Sequence, residues 1–187
     1  MSGLPDRRER AFLRDLARLA VEAAARGAPP PEPAAEAEAR GLALEGVLAE
    51  PCGVFVTLTR GGALRGCIGT IVGVRPLAEA VVWSGRAAAC EDPRFPPVGP
   101  GELASLELEI SVLSPLATVA DADAIEVGRH GVLLQKGSRQ AVFLPQVAPE
   151  QGWDRETMLA HLCLKAGLPP DAWQEGTVFK VFTALVF

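Results

Sequence analysis

Tyrosine is absent from the chain, lysine occurs three times against fifteen arginines, and histidine occurs twice. We attribute the lysine and tyrosine scarcity to genomic base composition and not to function. No run of about 18 uncharged apolar residues exists, so no membrane-spanning helix is expected. The opening MSGLPDRRERAF has no apolar core behind its charges, so export is not expected and a cytoplasmic location is. Four cysteines, spaced 15, 23 and 73 residues apart, suit a reducing compartment better than a disulfide scaffold. There is no CxxC and no HxxxH, so no metal centre is expected. GxxxxGK[ST] and GxGxxG are also missing, which removes motif support for nucleotide binding. A net charge of −5 and a pI near 5.1 leave no basic footprint for nucleic acid.

What is present is the material of a core. The chain has 187 residues, 49% hydrophobic and 22% charged, which excludes a disordered tail and gives one domain or two small lobes. Phe12, Leu13, Leu16, Leu19 and Ala20 recur at helical spacing between Pro5 and Gly27, with arginines on the other face. Glu32 to Gly41 can restart a short helix after the Pro29–Pro31 run. From Gly53 the pattern turns to strand, with Arg60-Gly61-Gly62 as a turn and Ala63 to Ile71 returning as a hairpin. Glycines at 66 and 69 inside that strand are unusual unless another backbone or a ligand comes close. A helix follows Pro76 and runs to Cys90, and the proline-rich 92–101 stretch is a loop. Leu106 to Leu113 alternates as a half-buried strand. Ile125 to Gly128 is a short strand or turn, and 131–135 with 140–144 is a second hairpin. Asp154 caps a helix from Arg155 to Ala166, and Thr177 to Phe187 is a terminal strand. The expectation is an α+β fold with about seven mostly antiparallel strands and three or four packed helices.

Leu64-Arg65-Gly66-Cys67-Ile68-Gly69-Thr70 resembles the signature of the AMMECR1 domain family. Asp92-Pro93-Arg94-Phe95, Leu108 to Ser114, Gly128-Arg129-His130-Gly131, Leu144 to Val147 and Lys165 to Leu168 resemble further segments of that family, in order. The likeness covers residues 10 to 187. Where members often have Arg-Gly before the LPQ strand, this chain reads Arg139-Gln140. The resemblance implies an α/β protein of two intimately joined lobes, a single domain over 1–187 with a helical segment over 1–41 and the signature-bearing α/β body over 42–187. It implies a cleft near the signature, and company with a Memo-type protein and a radical-SAM protein. It names no established activity, so a cofactor is left unknown.

Cys67 is the leading candidate for chemistry. Glycines on both sides leave room for a ligand at its sulfur, and Arg65 shares its face in a regular strand. The alternative is a packing thiol in a tight hairpin. Arg65 either binds an anion or pairs with an internal carboxylate such as Glu109, the second being favoured. His130, in a glycine-flanked turn, is a general base for Cys67 or a side chain that ties its own turn. Asp92, Arg94 and Phe95 form either a lid over a cleft or a rigid anchored loop. Two functions stay open. One is a binding or accessory protein whose cleft, lined by Arg65, Gly66, Gly69, Asp92, Arg94, Phe95 and Glu109, takes a small molecule or a protein partner. The other is an enzyme with Cys67 as nucleophile, His130 as base and Arg65 as anion anchor. The apolar ending Leu185-Val186-Phe187 either completes a sheet or pairs with a second copy as a homodimer.

Overall fold

Asp6 starts the first helix, α1 (Arg7–Ala25), by accepting the Glu9 N–H at 2.8 Å, while the Glu9 carboxylate accepts the Asp6 N–H at 2.7 Å. Gly27, at φ 64°, ends it. The computed structural model describes residues 4–187. These divide into two compact units, one up to Leu113 with Leu185–Phe187, the other Ser114–Ala184.

In the first unit α1 is followed by α2 (Pro33–Ala39), β1 (Val54–Arg60), β2 (Ala63–Thr70), α3 (Leu77–Cys90) and β3 (Leu106–Leu113). The short β8 (Ala184–Val186) closes a four-stranded sheet of order β2-β1-β3-β8. β1 is antiparallel to both neighbours, with Val56 opposite Ile68 and Ile110. Val54, Val56 and Leu58 are wholly buried on one face of β1, and Phe55, Thr57 and Thr59 are half-buried on the other. The buried face packs with Phe12, Leu13 and Leu16 of α1 and Leu77 and Val81 of α3. Each such large apolar side chain contributes about 1.5–3 kcal/mol by leaving water. The 92–101 loop runs into a 3₁₀ segment, Pro100–Ser105, which the density of prolines masks in the sequence.

The second unit holds β4 (Ala117–Val119), β5 (Gly131–Lys136), β6 (Arg139–Phe143), α4 (Val147–Gln151), α5 (Arg155–Lys165) and β7 (Val178–Phe182). Its sheet has the order β4-β7-β5-β6. Asp154 caps α5 by accepting the Thr157 N–H at 2.8 Å, and Met158, Leu159 and Leu162 pack on Val132, Leu134 and Phe179. In the 125–128 stretch no strand forms, and the turn is Val127 to Arg129.

Among the described residues there are eight strands and five α-helices, an α+β fold. The expected single strand from Thr177 to Phe187 is two strands in two sheets. Val181 and Phe182 are both buried, which a straight strand with period two cannot do on one face. The break falls at Thr183, whose N–H donates to Ser114 Oγ at 2.9 Å and whose carbonyl accepts the Ser114 N–H at 2.9 Å. Phe187 then exchanges backbone bonds of 2.7 and 3.0 Å with Ile110, so the terminus completes a sheet of its own chain. All four cysteines are free thiols. Among the described residues no helix is long and apolar enough to cross a membrane.

Candidate functional site

β2 is the outer strand of its sheet, and glycine decides how it sits. A Cβ built on Gly66 would run into the Ala88 carbonyl oxygen, so strand and helix α3 meet backbone to backbone there. Side chains alternate along a strand, and Cys67 therefore points to the other face. It stands opposite Thr57, which stands opposite Glu109. Thr57 Oγ1 donates a hydrogen bond to Cys67 Sγ at 3.3 Å, and the thiol is half-buried. At Gly69 a Cβ would strike the Val54 carbonyl and the Phe55 ring, so this glycine makes room for an aromatic neighbour.

The backbone of Cys67 is held from the free side of β2. α3 ends at Cys90, and the turn after it returns Asp92, a buried residue with only 4% of its surface exposed. Asp92 accepts the Cys67 N–H at 2.8 Å and the Arg94 N–H at 3.1 Å. It also takes Arg94 Nε at 2.9 Å and Nη2 at 2.7 Å, and Nη2 reaches the Cys67 carbonyl at 3.5 Å. The two side chains thus serve the peptide groups that a neighbouring strand would otherwise serve. The Arg94 guanidinium, aided by the Cys67 and Arg94 N–H groups, holds the Asp92 carboxyl far below the usual carboxylate range despite burial. Arg94 is raised in turn, first by Asp92 and lastly by the nearby Cys67 sulfur. Its side chain remains 54% exposed, with the guanidinium carbon 5.5 Å from the centre of the half-buried Phe95 ring. Arg65 flanks that ring at 6.0 Å.

Arg65 is not paired with Glu109, as the sequence suggested. Its Nε and Nη2 grip the two oxygens of Glu102 at 2.9 and 3.0 Å, and Nη2 reaches the Pro97 carbonyl at 3.4 Å. The reason is a bulge. The register passes from Leu58↔Gly66 to Thr59↔Leu64, which leaves Arg65 with no opposite residue and breaks the regular strand expected there. Glu109 stays exposed on the Cys67 side of the sheet. Thr57 and Glu102 carry no mark in the sequence. Thr57 emerges from the register, and Glu102 from the 3₁₀ turn behind the proline loop.

Glu102 yields a pH prediction. Arg65, then the Gly99 N–H, lowers its carboxyl to about 2. The unfolded value is about 4.3, so the folded value is the lower one, and the stabilisation is complete above about pH 4.3 and fades as pH falls towards 2. Glu102→Gln is expected to be less stable than the parent near neutrality and to lose less on acidification from about pH 5 to 2. Circular dichroism during urea unfolding at each pH measures this. Equal acid slopes would show that the pair contributes nothing.

His130 belongs to the second unit. Its Nδ1 accepts the Glu126 N–H at 3.1 Å, and its own backbone N–H donates to the Glu126 carbonyl at 2.9 Å. His130 thus ties its own turn, one of the two readings the sequence offered for it. Cys67, Arg65, Asp92, Arg94 and Phe95, by contrast, stand together within the first unit. That unit contains no histidine among its described residues. Among the described residues no group of three or more His, Cys, Asp and Glu is placed to hold a metal ion.

The chain is similar to known proteins over most of its length. A protein of Thermococcus kodakarensis is 48% identical over 149 residues, covering 74% of this chain and 73% of its own. One from Methanopyrus kandleri is 45% identical over 150 residues, covering 75% and 72%. The crystal structure of an uncharacterized protein from Pyrococcus horikoshii aligns with a TM-score of 0.81 at 40% identity, covering 94% of this chain and 88% of that one. The AMMECR1 family model matches residues 14–187, a span that includes both sheets and every residue of the Cys67 cluster, and the chain belongs to the AMMECR1 family.

Proposed function

We propose that this protein is a binding or accessory protein of a pathway shared with a Memo-type protein and a radical-SAM protein. Its ligand, a small molecule or a segment of one of those partners, is received on β2 beside Arg94 and Phe95. One observation carries the reading: the loop that clamps the Cys67 peptide groups also presents a half-exposed guanidinium and an aromatic ring. A planar cation against a ring suits recognition of carboxylate or π surfaces. The only hydrogen-bond donor to the thiol among the described residues is the Thr57 hydroxyl, which is no base. The test is mass spectrometry of small molecules carried by the purified chain, with calorimetry against the two purified partner proteins. Cys67→Ser is expected to keep the ligand, whereas Arg94→Ala with Phe95→Ala weakens it about tenfold or more, about 1.4 kcal/mol. Binding that ignores Arg94 and Phe95, or that Cys67→Ser abolishes, overturns the reading.

The closeness of the Cys67 sulfur to the half-exposed Arg94 guanidinium favours one other reading, a cysteine-dependent enzyme with Cys67 as nucleophile, in which Arg65 and His130 would have to leave Glu102 and the Glu126 N–H to act as anion anchor and base. Iodoacetamide labelling of Cys67 followed against pH separates the two. A midpoint at or above about 8.5, that of a free thiol, removes the enzyme.

A further inference from the structure

We infer that the free edge of β2 at Gly69 takes a short extended peptide as an added strand, starting where the Asp92–Arg94 clip ends. This rests on the binding reading above and names the ligand it would take. In an antiparallel pair the N–H and C=O of successive residues point alternately towards the partner strand and away from it. Cys67 is of the outward kind, since its N–H goes to Asp92 at 2.8 Å and its carbonyl to Arg94 at 3.5 Å. Gly69 follows two residues later and shares that orientation, so its N–H and C=O also point away from β1. No loop or side chain among the described residues takes either group.

Among the described residues, the order β2-β1-β3-β8 places no strand on that side. Proteins blunt open edges with bulges and charges, and here the bulge at Arg65 and the clip at Cys67 blunt one half only. The other half has a glycine, with no side chain to shield its peptide groups. In and past the bend that follows the end of β2 at Thr70, Val72 and Val74 are 57% and 68% exposed, apolar groups that a chain laid along the edge can cover. An unpaired donor and acceptor in strand geometry beside apolar groups match another extended backbone. A second copy of this chain fits less well. A two-fold ladder needs open peptide groups on both sides of its centre, and the clip closes the run towards Cys67.

The test pans phage-displayed random peptides of about six residues, the length of a strand, against the full chain. Enriched peptides are then added to ¹⁵N-labelled protein. The expected result is about tenfold or slower exchange of the Gly69 amide on binding, and about tenfold weaker binding by a Val72→Lys, Val74→Lys double variant. Gly69 itself is left alone, because a Cβ there meets the Val54 carbonyl. If no peptide is enriched, or enriched peptides leave the Gly69 amide unchanged, the added strand is wrong. The binding reading still stands in that case if Arg94→Ala weakens the natural ligand. Sedimentation showing a dimer whose formation protects Gly69 would give the edge to a second copy and overturn the proposal.

Discussion

Asp92→Asn is expected to lower stability by about 2–3 kcal/mol at neutral pH, more than its near-identical shape suggests. The side chain is only 2% exposed and receives four hydrogen bonds, three from Arg94 and one from Cys67. An amide offers one acceptor oxygen and turns two donor hydrogens towards a guanidinium that has only donors. Breaking a buried ion pair costs roughly 3–5 kcal/mol when the remaining charge is trapped. Arg94 is half-exposed and can turn to water, which places the loss below that range. The pH dependence has a definite sign. Asp92 titrates lower in the folded chain than in the unfolded one, so its contribution is complete above about pH 3.9 and declines by about 1.4 kcal/mol for each pH unit below that. Asparagine does not titrate. The gap between parent and variant in urea unfolding should therefore be constant from about pH 7 to 5 and narrow below about pH 4. A gap that persists unchanged to about pH 3 would mean that the carboxylate's charge is not what holds the loop. The same variant should weaken ligand binding, because Arg94 and Phe95 lose the anchor that places them.

Much of this cluster is legible in the sequence because it is local there. Asp92-Pro93-Arg94-Phe95 is a turn, and an acid and an arginine two residues apart pair across it. The glycines of β2 announce a close backbone approach, which the Ala88 carbonyl supplies at Gly66. The partners across the sheet are not legible. Periodicity fixes which face a residue takes but not its register, so neither Thr57 opposite Cys67 nor the slip that expels Arg65 can be read. The preference of Arg65 for Glu102 over Glu109 follows from that slip. Three-residue β4 and five-residue α4 are too short to show a period, and Pro149 inside α4 reads as a breaker. The terminal strand reads as one element because its nearly unbroken apolar pattern hides a change of sheet at Thr183.

The largest effect belongs to the glycine beneath the site. Gly66→Ala is expected to cost at least about 3 kcal/mol, the upper end of overpacking, or to prevent folding. In general Gly→Ala gains about 0.4–1 kcal/mol by restricting the unfolded chain. That gain is outweighed here because the new methyl meets the carbonyl oxygen of Ala88, a backbone atom inside α3 that no rotamer change can move. Relief requires β2 to shift off the helix, against Ala88 and Ala89, which are 2% exposed. Gly101 supplies the contrast: among the described residues nothing lies within 4 Å of the place a methyl would take there, and its φ is ordinary. Gly101→Ala should leave stability unchanged within about 0.5 kcal/mol or raise it slightly. Thermal and urea unfolding of the two variants, which make the same chemical change, should therefore separate them widely. Equal stability of Gly66→Ala and the parent would show that strand and helix do not meet backbone to backbone. If Gly66→Ala folds, the strand shift must carry Cys67 away from the Asp92 carboxylate at 2.8 Å, so ligand binding at Arg94 and Phe95 should fall with stability, although Gly66 touches neither.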